Sequence, residues 1–292
     1  MFRGSLVALV TPMTQSGEID LVAFGRLLDW HGRQGTDGVV VCGTTGESAN
    51  VSAPETAELL QIAVQRIGGR IAIIAGTGTN STAETIDRTR AACELGVDGV
   101  LVVTPYYNRP PQEGLYRHFS LVADAASVPL LLYNVPSRTA CDLLPETVER
   151  LATHPQIIGI KEATGRVERG AEILARCGDD FLLLSGDDAT CRELILAGAQ
   201  GVISVTANVA PRLMHEMAEA ALAGDRALAR ELDDRLAGLH RDLFVEANPI
   251  PAKWALERLG LIGNGIRLPL TWLAESHQGK VLEALRQAGV IE

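Results

Sequence analysis

Eight short apolar runs at near-regular spacing constrain this chain more than any other feature. They are SLVALV from Ser5, GVVVC from Gly38, IAIIA from Ile71, GVLVV from Gly99, LLLYN from Leu130, IIGIK from Ile157, FLLLS from Phe181 and GVISV from Gly201. Each is almost continuously apolar, as a strand buried on both faces of a parallel sheet must be. Between them lie stretches such as APETAELLQIAVQRI and STAETIDRTRAACELG, with apolar residues at helical spacing and glycine stops. Strand starts near residues 6, 37, 71, 98, 129, 156, 180 and 200 give eight strand–helix units, which predict an α/β chain folded as a (β/α)₈ barrel. A doubly wound open sheet is the alternative. Eight units favour closure, and no G-x-G-x-x-G follows the first strand. Beyond residue 224 the strand signal stops, and three helical stretches follow, separated by NP, PIP and GNG breaks. The expected division is a catalytic barrel over 1–224 and a C-terminal helical domain over 225–292. The expected task of that appendage is packing or oligomerisation, because barrel chemistry sits on the βα loops.

Composition narrows the function. The chain has 292 residues and a net charge of −10, without the basic stripe that nucleic acid or an anionic membrane would need. No apolar run reaches the ~18 residues of a spanning helix, and the N-terminus reads as a first strand rather than a leader. The five cysteines are scattered, never form C-x-x-C, and are expected as reduced thiols of a cytoplasmic protein. The six histidines avoid the βα loops and are expected on the surface or on helices, so no metal site emerges.

The two ends of the predicted barrel differ. The αβ connections (QGTD, IGGR, LGVD, ASVP) are bland punctuation, whereas GTTGES, TPYYNRP, YNVPSR, KEATG and SGDD carry hydroxyls, phenols and charges. Helix capping explains Ser81 and Asp187. It does not explain tyrosines in two loops or a lysine at a strand end. Of 26 basic residues only three are lysine: Lys161, Lys253 and Lys280. Lys161 ends the sixth strand, where desolvation favours the neutral, nucleophilic amine able to form a Schiff base with a carbonyl compound. The competing reading is a structural lysine paired with Glu162. Lys253 and Lys280 are expected on helix faces or the surface. Tyr133, on the adjacent strand, is a candidate proton shuttle, or else a core tyrosine with a bonded hydroxyl. Arg138 offers a planar fork for a carboxylate, or else a surface ion pair. Gly43-Thr44-Thr45-Gly46 forms a small anion nest without the Walker spacing, and Asp187-Asp188 argues against a phosphorylated substrate.

These loops, together with VISVTANVAP, NPIPAKWAL and IRLPL, resemble end to end the dihydrodipicolinate synthase family, the 4-hydroxy-tetrahydrodipicolinate synthases. GTTGE and the strand-6 lysine alone would only indicate the wider group of pyruvate-dependent aldolases. The resemblance implies a lyase that condenses pyruvate with L-aspartate 4-semialdehyde on the way to diaminopimelate and lysine, without metal or other cofactor. It assigns the Schiff base to Lys161, proton transfer to Tyr133, and a relay to Thr44 and Tyr107, the latter reaching into a neighbouring subunit. Thr45, Gly186 and Ile203 would hold pyruvate, and Arg138 the second substrate's carboxylate. It further implies a homotetramer built as a dimer of dimers. A lysine effector site would involve Ser48, Ala49, Asn80, Glu84 and Tyr106, with Ala53 and Thr56 departing from the histidines of sensitive members. The rivals are a sibling aldolase for sialic or keto-deoxy sugar acids, a pyridoxal phosphate enzyme and a non-catalytic keto-acid-binding barrel.

Overall fold

The computed structural model describes residues 2–292. Eight parallel strands run β1 (Gly4–Ala8), β2 (Gly38–Val41), β3 (Ala72–Gly76), β4 (Gly99–Val103), β5 (Leu130–Asn134), β6 (Ile157–Glu162), β7 (Leu182–Ser185) and β8 (Gly201–Ser204). They pair in chain order, and β8 closes on β1 with Gly4 opposite Gly201, giving the predicted barrel. Around it lie α1 (Leu21–Arg33), α2 (Ala53–Ile67), α3 (Thr82–Glu94), α4 (Gln112–Ala125), the short α5 (Pro136–Thr139), α6 (Pro145–Leu151), α7 (Val167–Cys177), α8 (Cys191–Leu196) and α9 (Pro211–Leu222). After them come α10 (Arg226–Asp242), α11 (Ile250–Arg258) and α12 (Glu275–Gln287).

Strand alternation sorts the apolar residues into two cores. Leu6, Ala8, Val40, Ile74, Leu101, Leu131, Leu184 and Ile203 fill the barrel, and Phe2 plugs its amino-terminal end. Val7, Val39, Val41, Ile73, Val100, Val102, Leu130 and Leu132 belong to the outer core against the helices. At burial worth about 25 cal/mol per Å² of apolar surface, these two layers are the main source of stability.

One irregularity matters for function. Leu130 lies opposite Ile157 but Leu131 opposite Gly159, so Ile158 is an extra residue in β6. Such a bulge shifts side-chain parity by one. Lys161 consequently registers with Tyr133 on β5 and Leu184 on β7, both members of the interior cluster.

The helix signals are the expected ones. Ser52 and Glu55 form a reciprocal capping box on α2, and Ser81 caps α3. All five cysteines are free thiols. His31, His118, His215, His240 and His277 lie on helices, as expected; His31, His118 and His240 are buried there, and each of these three Nδ1 atoms meets a threonine hydroxyl.

Lys253 corrects its expected placement. It sits on α11 with no exposed surface, and its Nζ donates to the equally buried Glu47 at 2.6 Å. Burial lowers its pKa, and the Glu47 charge offsets this only in part. Nearby, Arg267 forms a two-bonded pair with Glu55 and donates to the carbonyls of Gly17 and Asn50. That guanidinium holds the Glu55 carboxyl at about 2. Helical periodicity could not reveal this, because a helix face turned toward the barrel reads the same as one turned toward water until its partner is located. Lys280, by contrast, is exposed on α12.

Candidate active site

The carboxyl ends of the strands open into a cavity of about 580 Å³ lined by Thr45, Tyr133, Arg138, Lys161, Gly186 and Asn248, among others. Lys161 rises into it from β6, only 5% exposed, with Nζ 4.3 Å from the centre of the Tyr133 ring. Glu162 does not pair with it. Parity turns Glu162 the other way, where its carboxylate accepts from the Thr164 amide and from Asn134 Nδ2. Burial raises the Glu162 pKa. Asn134 also donates to Asp142, which Arg169 grips with both terminal nitrogens. This network ties the ends of β5 and β6 together behind the two functional side chains, fixing their relative positions.

Gly186 has a steric reason to be glycine. A Cβ there would lie 2.6 Å from Ala163 Cβ and 2.9 Å from Lys161 Cε, so any side chain would displace the lysine stem. Thr45 is buried, and its hydroxyl receives Asn248 Nδ2 at 2.9 Å. The Gly43–Ser48 turn uses the amides of Gly46, Glu47 and Ser48 internally. Arg138, on α5, is exposed along its length and touches the Asn248 carbonyl at 3.4 Å. Ile203 packs in the barrel interior with Tyr133.

A second cavity of about 360 Å³ adjoins the first and shares Arg138 with it; its lining includes Thr44, Ser48, Ala49 and Tyr106. Tyr107 lies in neither: it is 89% exposed at a left-handed φ of 75°. Of the suggested effector residues, Ser48, Ala49 and Tyr106 converge. The backbone carbonyl of Asn80 accepts from Asn108 Nδ2, and Glu84 pairs with Arg88 at 2.6 Å instead of standing free. Ala53 and Thr56 line a separate small cavity beside Ser48 and Arg88.

Sequence reasoning missed the segment Phe244–Asn248, which lines the Lys161 cavity from the appendage. The signal was present in NPIPAKWAL, but its position far beyond the last strand directed it to packing.

A closed parallel barrel with a buried, unpaired lysine beside a tyrosine at its carboxyl-terminal mouth is the framework of a barrel enzyme. The chain belongs to the dihydrodipicolinate synthetase family, whose sequence model matches residues 1–288. It is 58% identical over 291 residues, covering all of both chains, to a 4-hydroxy-tetrahydrodipicolinate synthase of Methylococcus capsulatus. It is 54% identical over 291 residues, again across both chains, to the enzyme of that name from Pseudomonas aeruginosa. Among solved structures, the chloride-inhibited dihydrodipicolinate synthase of Acinetobacter baumannii complexed with pyruvate superposes with a TM-score of 0.98 at 49% identity, over the whole of both chains. No helix among the described residues is long and apolar enough to cross a membrane.

Proposed function

We propose that this chain condenses pyruvate with L-aspartate 4-semialdehyde to give 4-hydroxy-tetrahydrodipicolinate and water, as a cytoplasmic enzyme of lysine biosynthesis. The observation that carries the reading is the Lys161 amine, free of any ion pair among the described residues, at the floor of the cavity and 4.3 Å over the Tyr133 ring. In its neutral form this amine attacks the ketone carbon of pyruvate, and the carbinolamine oxygen leaves as water. The resulting iminium acidifies the methyl group, which loses a proton to give an enamine. Tyr133 is the group suited to donate to the departing oxygen and to accept later. The enamine carbon then bonds to the aldehyde carbon of the second substrate, and that oxygen takes up a proton. Finally the second substrate's own amine adds to the former ketone carbon and expels Lys161.

Thr45 and Gly186 frame the keto acid, with Ile203 beneath, and Arg138 receives the second substrate's carboxylate. Thr44 and Tyr107 form the relay. Because Tyr107 projects from its own chain, the relay is completed by a neighbouring copy, in a homotetramer arranged as a dimer of dimers. The barrel, 1–224, carries the chemistry and 225–292 forms the helical domain against it. Ser48, Ala49, Asn80, Glu84 and Tyr106 form the effector site, with affinity for lysine reduced because Ala53 and Thr56 supply fewer polar contacts than a pair of histidines.

Borohydride trapping tests the central step. Pyruvate plus borohydride should add one reduced adduct, mapped by peptide mass to Lys161. Absence of that adduct, or its appearance on Lys253 or Lys280, would sink the reading.

A further inference from the structure

The link between α10 and α11 reaches over the barrel mouth, and its last residue before the proline touches two members of the site. Asn248 is 6% exposed. Its Nδ2 donates to Thr45 Oγ1 at 2.9 Å, and its backbone carbonyl accepts from Arg138 Nη2 at 3.4 Å. Its Oδ1 is buried without a partner among the described residues, so Thr45 is the side chain that orients the amide. Five residues later, Lys253 holds Glu47 in the same loop as Thr45, which fixes the loop independently of Asn248.

The chemistry of a hydroxyl gives this contact a direction. Thr45 Oγ1 has a single proton to donate and can accept from two sides. An amide nitrogen only donates, so toward Asn248 the hydroxyl must accept. Its proton is then left for an acceptor in the cavity. We propose that Asn248 is a positioning residue that sets the donor polarity of Thr45 while steadying Arg138. The appendage thereby prepares the cavity for a carboxylate, which only accepts, over a group that only donates, such as an ammonium. This inference rests on the pyruvate reading given above.

The test uses the full chain and five variants: Asn248→Ala, Thr45→Val, Thr45→Ser, and Asn248→Ala combined with each threonine change. The readouts are the pyruvate concentration that half-saturates adduct trapping on Lys161, kcat at saturating pyruvate, and a thermal melt. Loss of one well-placed hydrogen bond toward a charged ligand predicts that Asn248→Ala raises the half-saturating concentration roughly tenfold, with kcat within about threefold. The same rise is expected in the Thr45→Ser background, which keeps the hydroxyl. In the Thr45→Val background no further rise is expected, because the group through which Asn248 acts is gone. Should Asn248→Ala fail to fold, Asn248→Ser, too short to reach Thr45, takes its place with the same expected pattern. Independent, multiplying effects of Asn248→Ala and Thr45→Val would overturn the proposal, as would a fall in kcat at unchanged half-saturation. Failure of the unmodified chain to form any adduct would count against the Schiff-base reading itself, a different result from an adduct with independent variants.

Discussion

Two buried lysines lie in this molecule under opposite regimes. Lys253 is locked onto Glu47 with neither side chain exposed, and the side chain of Arg267 beside it makes four further hydrogen bonds. Lys161 is nearly as buried but among the described residues has no carboxylate partner, facing an aromatic ring and an open cavity instead. The same residue type serves structure where a counter-charge satisfies it and is available for chemistry where none does. Burial alone therefore does not identify a nucleophile; burial without a counter-ion, next to space for a substrate, does.

The sharpest way to break this comparison is to exchange each lysine for methionine. Lys161→Met should lower kcat/KM on the order of 10⁴-fold or more, as loss of a covalent nucleophile does, with the melting temperature unchanged or raised. A steady-state assay and a melt decide it; appreciable activity would end the distinction. Lys253→Met should do the reverse in kind. It leaves Glu47 buried without its cation, which costs roughly 3–5 kcal/mol of stability, measured by urea unfolding. Replacing Glu47 with an apolar residue at the same time should recover much of that loss.

Smaller effects sharpen the picture of the mouth. Tyr107→Phe should reduce kcat on the order of 10²-fold if a shared relay operates, while the pyruvate adduct on Lys161 still forms. Equal loss of adduct and turnover would place Tyr107 elsewhere in the scheme. For lysine inhibition, two missing polar contacts at ~0.5–1.5 kcal/mol each predict affinity about five- to a hundredfold below that of a sensitive relative. A titration showing strong, sub-millimolar inhibition would refute it.

The pH dependence of stability gives the gentlest test. Burial lowers His31 to about 3 and His118 to about 4, from an ordinary 6.5. Below 6.5 the unfolded chain takes up protons that the folded chain refuses, so both contributions are complete above 6.5 and shrink as the pH falls. Unfolding free energy should decline between pH 6.5 and 4.5 with a slope approaching ~1.4 kcal/mol per pH unit for each histidine. A flat profile there would mean that these imidazoles do not stay neutral.

The barrel was legible because its eight strands are local apolar runs, each complete within a few residues. Lys161 was legible for a different reason: in a chain with so little lysine, one at a strand end asks for an explanation. What could not be read were pairings across the chain. Asn248 and Thr45 are 203 positions apart and Lys253 and Glu47 are 206, and no periodicity connects them. The local sign of the bulge is Gly159 inside IIGIK, an isolated strand glycine, and it does not show which neighbour is supernumerary.

That extra residue turns β6 into something like a reading frame. Strand residues alternate between the lumen and the helix layer, so each position's address depends on a count begun upstream. The bulge inserts one into that count after Ile157, and every later residue changes sides. A chain lacking Ile158 would pair with β5 without interruption and keep its amine in the lumen. It is a chain that kept Ile158 but paired it regularly, opposite Leu131, that would direct the amine to the helix layer and the carboxylate of Glu162 to the lumen. For this barrel a one-residue slip in how an unremarkable apolar run pairs is thus equivalent to losing the nucleophile, and a comparison of motifs alone would not notice.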